Sequence, residues 1–244
     1  MRPEECYADG STEETQDVAT RMIRALIFDF DGLILDTETS LRTSWMEIYE
    51  EVGFHVDETT WASMLGSSAD LPEAYDLLEK HLGKRIDRSA LHKRRFRREL
   101  ALLASEDLMP GVRELIVEGK ALGLLLGIAS SSDRAWVHDH LETHDLLKSF
   151  DAIVCSEDVE ETKPAPDLYL RALTEFGIGP DQAIVFEDSQ HGVTAAKAAG
   201  LFCVAVPNRV TRCLGFDNAD LIVSALSDRT LQQYLNAASP SGSS

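Results

Sequence analysis

Beyond residue 110 the chain repeats one pattern, a short and almost unbroken apolar run followed by a stretch with helical spacing. The runs are Leu124–Ala129, Ala152–Val154, Ala183–Phe186, Phe202–Val206 and Leu221–Val223. Strands this uniformly apolar suit a parallel sheet covered on both faces. Between and after them the spacing predicts helices over residues 112–122, 133–142, 166–176, 190–199 and 229–236. Gly123, Gly177 and Gly200 fall just past the ends of three, where helices commonly terminate. Alternation of this kind specifies a doubly wound α/β fold with a parallel sheet. A further strand, Ala25–Phe28, stands near the N-terminus and belongs to the same sheet.

Residues 37–109 break the alternation. Leu41, Trp45, Tyr49 and Val52 recur at helical spacing, as do Leu71, Tyr75, Leu78 and Leu82, and then Leu91, Phe96, Leu100 and Leu103. They predict a small helical bundle inserted after the first strand. The chain therefore divides into a core of residues 23–36 and 110–236, a helical cap of residues 37–109, and two tails. Residues 1–22 are acidic and polar without a signal-peptide apolar core, and residues 237–244 are too polar to pack; both are expected to be disordered. Leu35–Thr37 and Leu108–Gly111 join cap to core and can absorb a hinge rotation.

Ligands of open α/β sheets bind beyond the carboxyl ends of the strands. Four such ends carry chemistry. After the first strand comes Asp29-Phe30-Asp31-Gly32-Leu33-Ile34-Leu35-Asp36-Thr37-Glu38. Two carboxylates this close repel unless a cation or a shared proton sits with them. Asp-x-Asp-Gly is also an ordinary turn sequence, and it opens calcium loops, but Leu33 and Leu35 stand where later calcium ligands belong. After Leu124–Ala129 come Ser130, Ser131 and Ser132, able to cap a helix or to hold a phosphate oxygen. Lys163 lies between strand and helix, stiffened by Pro164 and Pro166. After Ala183–Phe186 come Glu187, Asp188 and Ser189, which again suit a helix cap or a metal. Four independent caps are a poor account of Asp-x-Asp, Ser, Lys and Glu-Asp on four strand ends. Together they supply a nucleophile, an acid/base, a phosphate clamp and a hard-metal seat.

In these segments the chain resembles the haloacid dehalogenase superfamily, in the branch of β-phosphoglucomutase-like phosphatases. Asp29–Thr37, Ser130, Lys163-Pro-Ala-Pro-Asp and Glu187-Asp-Ser-Gln-His-Gly match the four family motifs in order, and the resemblance spans residues 23 to about 225. It implies a Rossmann-like core with a helical cap inserted after the first motif. It implies that Asp29 attacks phosphorus to form an aspartyl phosphate. Asp31 would protonate the leaving alcohol and then deprotonate the hydrolytic water. Ser130, with Ser131 beside it, would hold phosphoryl oxygens. Lys163 would pair with both nucleophile and phosphoryl group. Magnesium would sit on Asp29, the Asp31 carbonyl and Asp188, with Glu187 a secondary ligand or an outer acceptor.

The branch also contains sugar-phosphate mutases, which carry a cap histidine and a basic residue in the cap loop. Aligned without gaps, these positions hold Leu41 and Ala69. The expected activity is accordingly hydrolysis of a small phosphorylated metabolite, a sugar or polyol phosphate. A mutase is the alternative, and a non-catalytic binding module or a dehalogenase is further off. Substrate choice is expected to lie in the cap, with Leu41, Trp45, Ser67, Ser68 and the His92–Arg98 segment as candidates; most of that segment reads as a solvated helix face.

A net charge of −19 disfavours nucleic acid or an anionic membrane as a partner. No apolar run approaches a membrane span. Cys6, Cys155, Cys203 and Cys213 lack metal-ligand spacing; the last three, in or near apolar segments, read as buried thiols in a reducing, cytoplasmic setting. A monomer is expected.

Overall fold

The computed structural model describes residues 22–65, 71–104 and 106–239. Residues 1–21 of the expected acidic extension and the last five residues of the expected tail lie outside them, as do Ser67, Ser68 and Ala69.

A six-stranded parallel sheet runs through the core: β1 (Ala25–Phe28), β2 (Leu125–Ala129), β3 (Ala152–Val154), β4 (Ala183–Glu187), β5 (Phe202–Ala205) and β6 (Leu221–Ile222). Their order is β3-β2-β1-β4-β5-β6. The chain moves outward from β1 to β3 and then crosses to β4 on the other side. The switch point therefore lies between β1 and β4, and Asp29 and Asp188 follow these two strands. Register sets their depth: Phe28 pairs with Ile128 on one side and Phe186 on the other, so Asp29 and Glu187 leave the sheet at one level.

Helices α1 (Thr37–Glu51), α2 (Glu58–Ala62), α3 (Pro72–Leu82) and α4 (Arg88–Leu103) make up the insert. Helices α5 (Val112–Ala121), α6 (Arg134–Thr143), α7 (Asp167–Phe176), α8 (Gln190–Ala198) and α9 (Leu231–Ala238) cover the sheet. Strand periodicity sorts side chains to the two faces. Leu26, Phe28, Leu126, Ile128, Ile184 and Phe186 pack with α5, α6 and α9, while Ala25, Ile27, Ala183, Val185 and Cys203 pack with α7 and α8. A third cluster, within the insert, gathers Trp45, Tyr49, Trp61, Tyr75 and Leu78, and Val210 of the core reaches into it.

The two connections run side by side: Leu35 bridges Leu108, and the Met109 N–H donates to the Ile34 carbonyl at 2.9 Å. Asp36 accepts from the Thr39 N–H at 3.0 Å, so α1 starts at the connection itself.

Several details differ from the sequence reading. The short α2 has too few residues to show a period. Thr230 caps α9, which starts later than expected and reaches Ala238, so residues 237 and 238 are helix rather than tail. Leu100 is 41% exposed, because that side of α4 faces a cavity, and the buried positions of α4 include Arg95 and Glu99. Val52 lies past the end of α1 and is also exposed. Cys155 and Cys203 are buried, but Cys213 is exposed in a short 3-10 turn. Among the described residues no helix is long and apolar enough to cross a membrane.

Phe186 stacks on Phe28 at 5.1 Å and meets Tyr234 edge-on at 5.2 Å, joining β1, β4 and α9. Phe186→Ala is expected to lower the free energy of unfolding by about 3–5 kcal/mol in urea titrations. A loss below about 1.5 kcal/mol would place the mechanical centre of the core elsewhere.

Candidate active site

The ends of β1, β2 and β4 open into a cavity of about 510 Å³, within the range of small-molecule sites. Asp29, Asp31, Ser130, Ser131 and Asp188 line it from the core. Leu41, His92, Arg95, Phe96, Glu99 and Leu100 line it from the insert.

Below this cavity lies a buried ion pair network. Lys163, 2% exposed, donates to Asp29 and pairs with Glu187 Oε1 at 2.6 Å. Its ammonium also sits 5.2 Å from the centre of the Tyr169 ring, and the Tyr169 hydroxyl donates to Glu187 Oε1. The other oxygen, Glu187 Oε2, accepts from the Asp188 and Ser189 N–H groups at 3.2 and 3.4 Å and from the Ser189 hydroxyl at 3.3 Å. Ser189 caps α8 itself, accepting from the Gly192 N–H at 3.1 Å, while Glu187 satisfies the turn that leads into the helix. Gly192 leaves room for this, since a Cβ there would lie 1.9 Å from Glu187 Oε1.

The two residues of the Glu-Asp pair therefore part ways. Glu187 turns inward, with both oxygens engaged by protein donors. Asp188 turns toward the cavity, its Oδ2 accepting from Asn208 Nδ2 at 2.6 Å. Asn208 is itself held by the Val210 and Thr211 N–H groups, which donate to its Oδ1 at 2.8 and 3.0 Å. Gly32 adopts φ +77° and lies so close that a Cβ would sit 2.3 Å from Asp188 Oδ2 and 2.5 Å from Asn208 Nδ2. Glycine is the residue that allows this approach.

The serines part in the same way. Asp133, not a serine, caps α6, accepting from the Trp136 N–H at 2.8 Å. Ser132 Oγ donates to Asp31 Oδ2 at 2.6 Å, Ser130 Oγ lies 3.5 Å from the same oxygen, and the Trp136 indole Nε1–H donates to Asp31 Oδ1 at 2.9 Å.

Burial and mutual repulsion dominate the electrostatics. Burial pushes the Asp29 carboxyl up to about 8 against the pull of Lys163, with Glu187 and Asp31 adding to the rise. Asp188 is raised well above the carboxylate range by burial and then by Asp29 and Glu38. Glu38 is raised likewise by burial and by Asp31, Asp29 and Glu99, and its buried Oε2 has no hydrogen-bond partner. Facing them from α4 is Arg95, the one lysine or arginine among the described lining residues, paired with Glu99 at 2.5 Å. Ligand atoms of Asp29, Glu187 and Asp188 lie within 4.8 Å of one another. A crowded set of hard oxygen donors with excess negative charge fits a small divalent cation.

The residues expected at the site are accordingly distributed in two layers. Asp29, Asp31, Ser130, Ser131 and Asp188 share the cavity. Lys163 and Glu187 lie behind Asp29 and are not among the lining residues. Of the cap candidates, Leu41, His92, Arg95 and Phe96 line the cavity, whereas Trp45 is buried within the insert. Lys93, Arg94, Arg97 and Arg98 are exposed, Arg94 and Arg98 pairing with Glu51 and Glu47. Sequence reasoning missed Glu38, Glu99, Trp136, Tyr169 and Asn208, and it did not foresee that Ser132 bonds to Asp31. Asn208 had a usable signal, since it follows the end of β5 as the other site residues follow theirs.

Lys163→Met would leave Asp29 and Glu187 facing each other without a buried cation. The expected cost is about 3–5 kcal/mol of stability, read from urea unfolding. A loss below about 1 kcal/mol would show that the two carboxyls tolerate each other.

Residues 26–206 match the family model described as haloacid dehalogenase-like hydrolase. YhcW of Bacillus subtilis (strain 168), which is named as a phosphatase, is 41% identical over 215 residues, covering 88% of this chain and 97% of that protein. Hexitol phosphatase B of Escherichia coli (strain K12) is 30% identical over 233 residues, covering 88% of this chain and 98% of its own. The crystal structure of CbbY from Rhodobacter sphaeroides in complex with xylulose-(1,5)bisphosphate superposes with a TM-score of 0.68 at 29% identity, covering 85% of this chain and 96% of that one.

Proposed function

The chain belongs to the haloacid dehalogenase-like hydrolases, and from that premise we propose that it is a magnesium-dependent phosphatase of small sugar or polyol phosphates. Its class, phosphoric monoester hydrolase, rests on relatives matched over nearly their whole lengths. One observation carries the mechanism: Asp29, held by Lys163 from a different loop, shares one cavity with Asp31, Asp188 and the serines that follow β2. A core of this kind suits an ester with a compact phosphoryl end. The cavity also extends between α4 and α6, which leaves space for the alcohol portion.

In this reading a carboxylate oxygen of Asp29 attacks phosphorus. The ester P–O bond breaks, the proton of Asp31 passes to the leaving oxygen, and an aspartyl phosphate remains. Asp31 then takes a proton from water, which attacks phosphorus and releases inorganic phosphate and Asp29. Ser130 and Ser131 border the phosphoryl group. Lys163 keeps Asp29 in place from behind. Asp29, Asp188 and the Asp31 carbonyl would hold magnesium, which supplies Lewis-acid neutralisation of the phosphoryl oxygens. Glu187 stays outside the metal shell as the acceptor that fixes Lys163. Leu41 lines the cavity with an apolar side chain where the mutases carry histidine, which supports hydrolysis over phosphoryl return to a second hydroxyl.

Hydrolysis of p-nitrophenyl phosphate should require magnesium and stop with chelator. Asp29→Asn should retain the fold by circular dichroism and lose at least about 1,000-fold in turnover. Equal rates with chelator, or more than a few per cent of activity in the variant, would sink this reading. A screen of sugar and polyol phosphates ranked by kcat/KM identifies the substrate.

Asn208 orients Asp188 from outside the proposed metal shell. Partners of that kind typically contribute 10–100-fold to metal affinity. Asn208→Ala is therefore expected to raise the magnesium concentration for half-maximal activity by about that factor, with kcat at saturating metal changed much less. An unchanged magnesium titration would show that Asp188 needs no such support.

A further inference from the structure

We propose that Trp136 is a positioning residue for Asp31, fixing which carboxyl oxygen carries the proton delivered to the leaving group. The inference rests on the reading of Asp31 as general acid given above. Trp136 stands in the first turn of α6, and its indole N–H donates to Asp31 Oδ1 at 2.9 Å. An indole nitrogen can only donate. A carboxyl's carbonyl oxygen accepts more strongly than its hydroxyl oxygen, so this bond favours Oδ1 as the carbonyl oxygen and places the carboxyl proton on Oδ2. A hydroxyl can donate or accept, so Ser132, which donates to Oδ2 at 2.6 Å, can rotate away when Oδ2 becomes protonated. Oδ2 is also the oxygen that Ser130 approaches at 3.5 Å, on the side where the phosphoryl group is expected. The hydrogen bond from the rigid donor thus points the proton at the reacting end of the ester.

The ring is held to do this. His140, one turn along α6, meets it edge-on at 4.3 Å, and Phe96 of α4 packs on it at 5.9 Å. The same ring lines the cavity, so its polar edge serves the acid while its apolar surface forms a wall. Through Phe96 the insert bears on the residue that orients the acid.

In the step concerned, the Asp29 oxygen–phosphorus bond forms, the ester P–O bond breaks, and the Asp31 proton moves to the departing oxygen. A leaving group acidic enough to depart as an anion does not need that proton. Phenyl phosphate and p-nitrophenyl phosphate are close in shape, but phenol, with a pKa of about 10 like tyrosine, is the far poorer leaving group. Both are measured in single turnover with magnesium, so that later hydrolysis of the aspartyl phosphate does not enter. Trp136→Phe keeps the wall and removes the N–H. It is expected to slow release of phenol about 10-fold while leaving release of p-nitrophenol within about 2-fold of wild type. Because both esters are read on the same protein, partial misfolding lowers both and leaves their ratio unchanged. An unchanged ratio, whether both rates fall or neither does, overturns the proposal. Asp31→Asn separates the two layers of the argument. If it changes the ratio and Trp136→Phe does not, the Trp136 assignment is wrong; if neither changes it, the reading of Asp31 as general acid has failed.

Discussion

The buried ammonium of Lys163 is the constraint on which the site depends. Asp29 and Glu187 leave neighbouring strands at one level, and without a cation between them their charges would oppose each other in a region that water does not reach. A buried charge left unpaired is costly, and a well-bonded pair offsets much of that cost. Lys163 supplies the pairing from a third loop, between β3 and α7, so three elements on both sides of the sheet centre are tied through one nitrogen. Tyr169 of α7 closes the network by donating to Glu187. Asp29, the proposed nucleophile, is placed by a relay of hydrogen bonds and charge, not by its own strand alone.

The remaining geometry follows from that assignment. Glu187 is committed to Lys163, Tyr169 and the turn before α8, which leaves Asp188 to face the cavity. Asn208 then fixes Asp188 from the end of β5. The turn at Gly32 brings the backbone against these two side chains. On the opposite flank Asp133 takes the helix cap of α6 and leaves Ser132 and Trp136 to the second carboxylate. In both loops a residue beside the site caps the following helix, Ser189 for α8 and Asp133 for α6.

Much of this was legible in the sequence because it depends on period and position. Unbroken apolar runs marked every strand within a residue or two at either end, and strand ends are where α/β proteins place their ligands. The four motifs stood at four of those ends. What escaped was set by the third dimension. Trp136 reaches Asp31 across 105 positions of sequence, and a tryptophan in an amphipathic helix reads as core. Arg95 fell in a segment that read mostly as a solvated helix face, yet it is buried, paired with Glu99 and lying 5.9 Å from the centre of the Trp45 ring. Glu38 looked like an ordinary acid in a helix's first turn, and only burial among Asp29, Asp31 and Glu99 makes it unusual. Asn208 was within reach of the strand-end rule, which was not applied to β5.

The division between what was legible and what was not follows the division of labour in the molecule. Handling of a phosphoryl group needs charge of fixed kind at fixed depth, so it is written as short motifs on a rigid sheet. Recognition of the alcohol needs a surface matched to one shape; in the proposed reading the insert supplies it, from helices whose spacing encodes only their own packing. The two meet where Phe96 leans on Trp136. A contact of that kind lets the position of the insert act on the proton-transfer group without any insert residue touching phosphorus. It also gives a physical reason for an otherwise expensive choice. A tryptophan half-exposed in a cavity wall buries less apolar area than one in the core, but only there can a single side chain face the alcohol, the acid and the insert together.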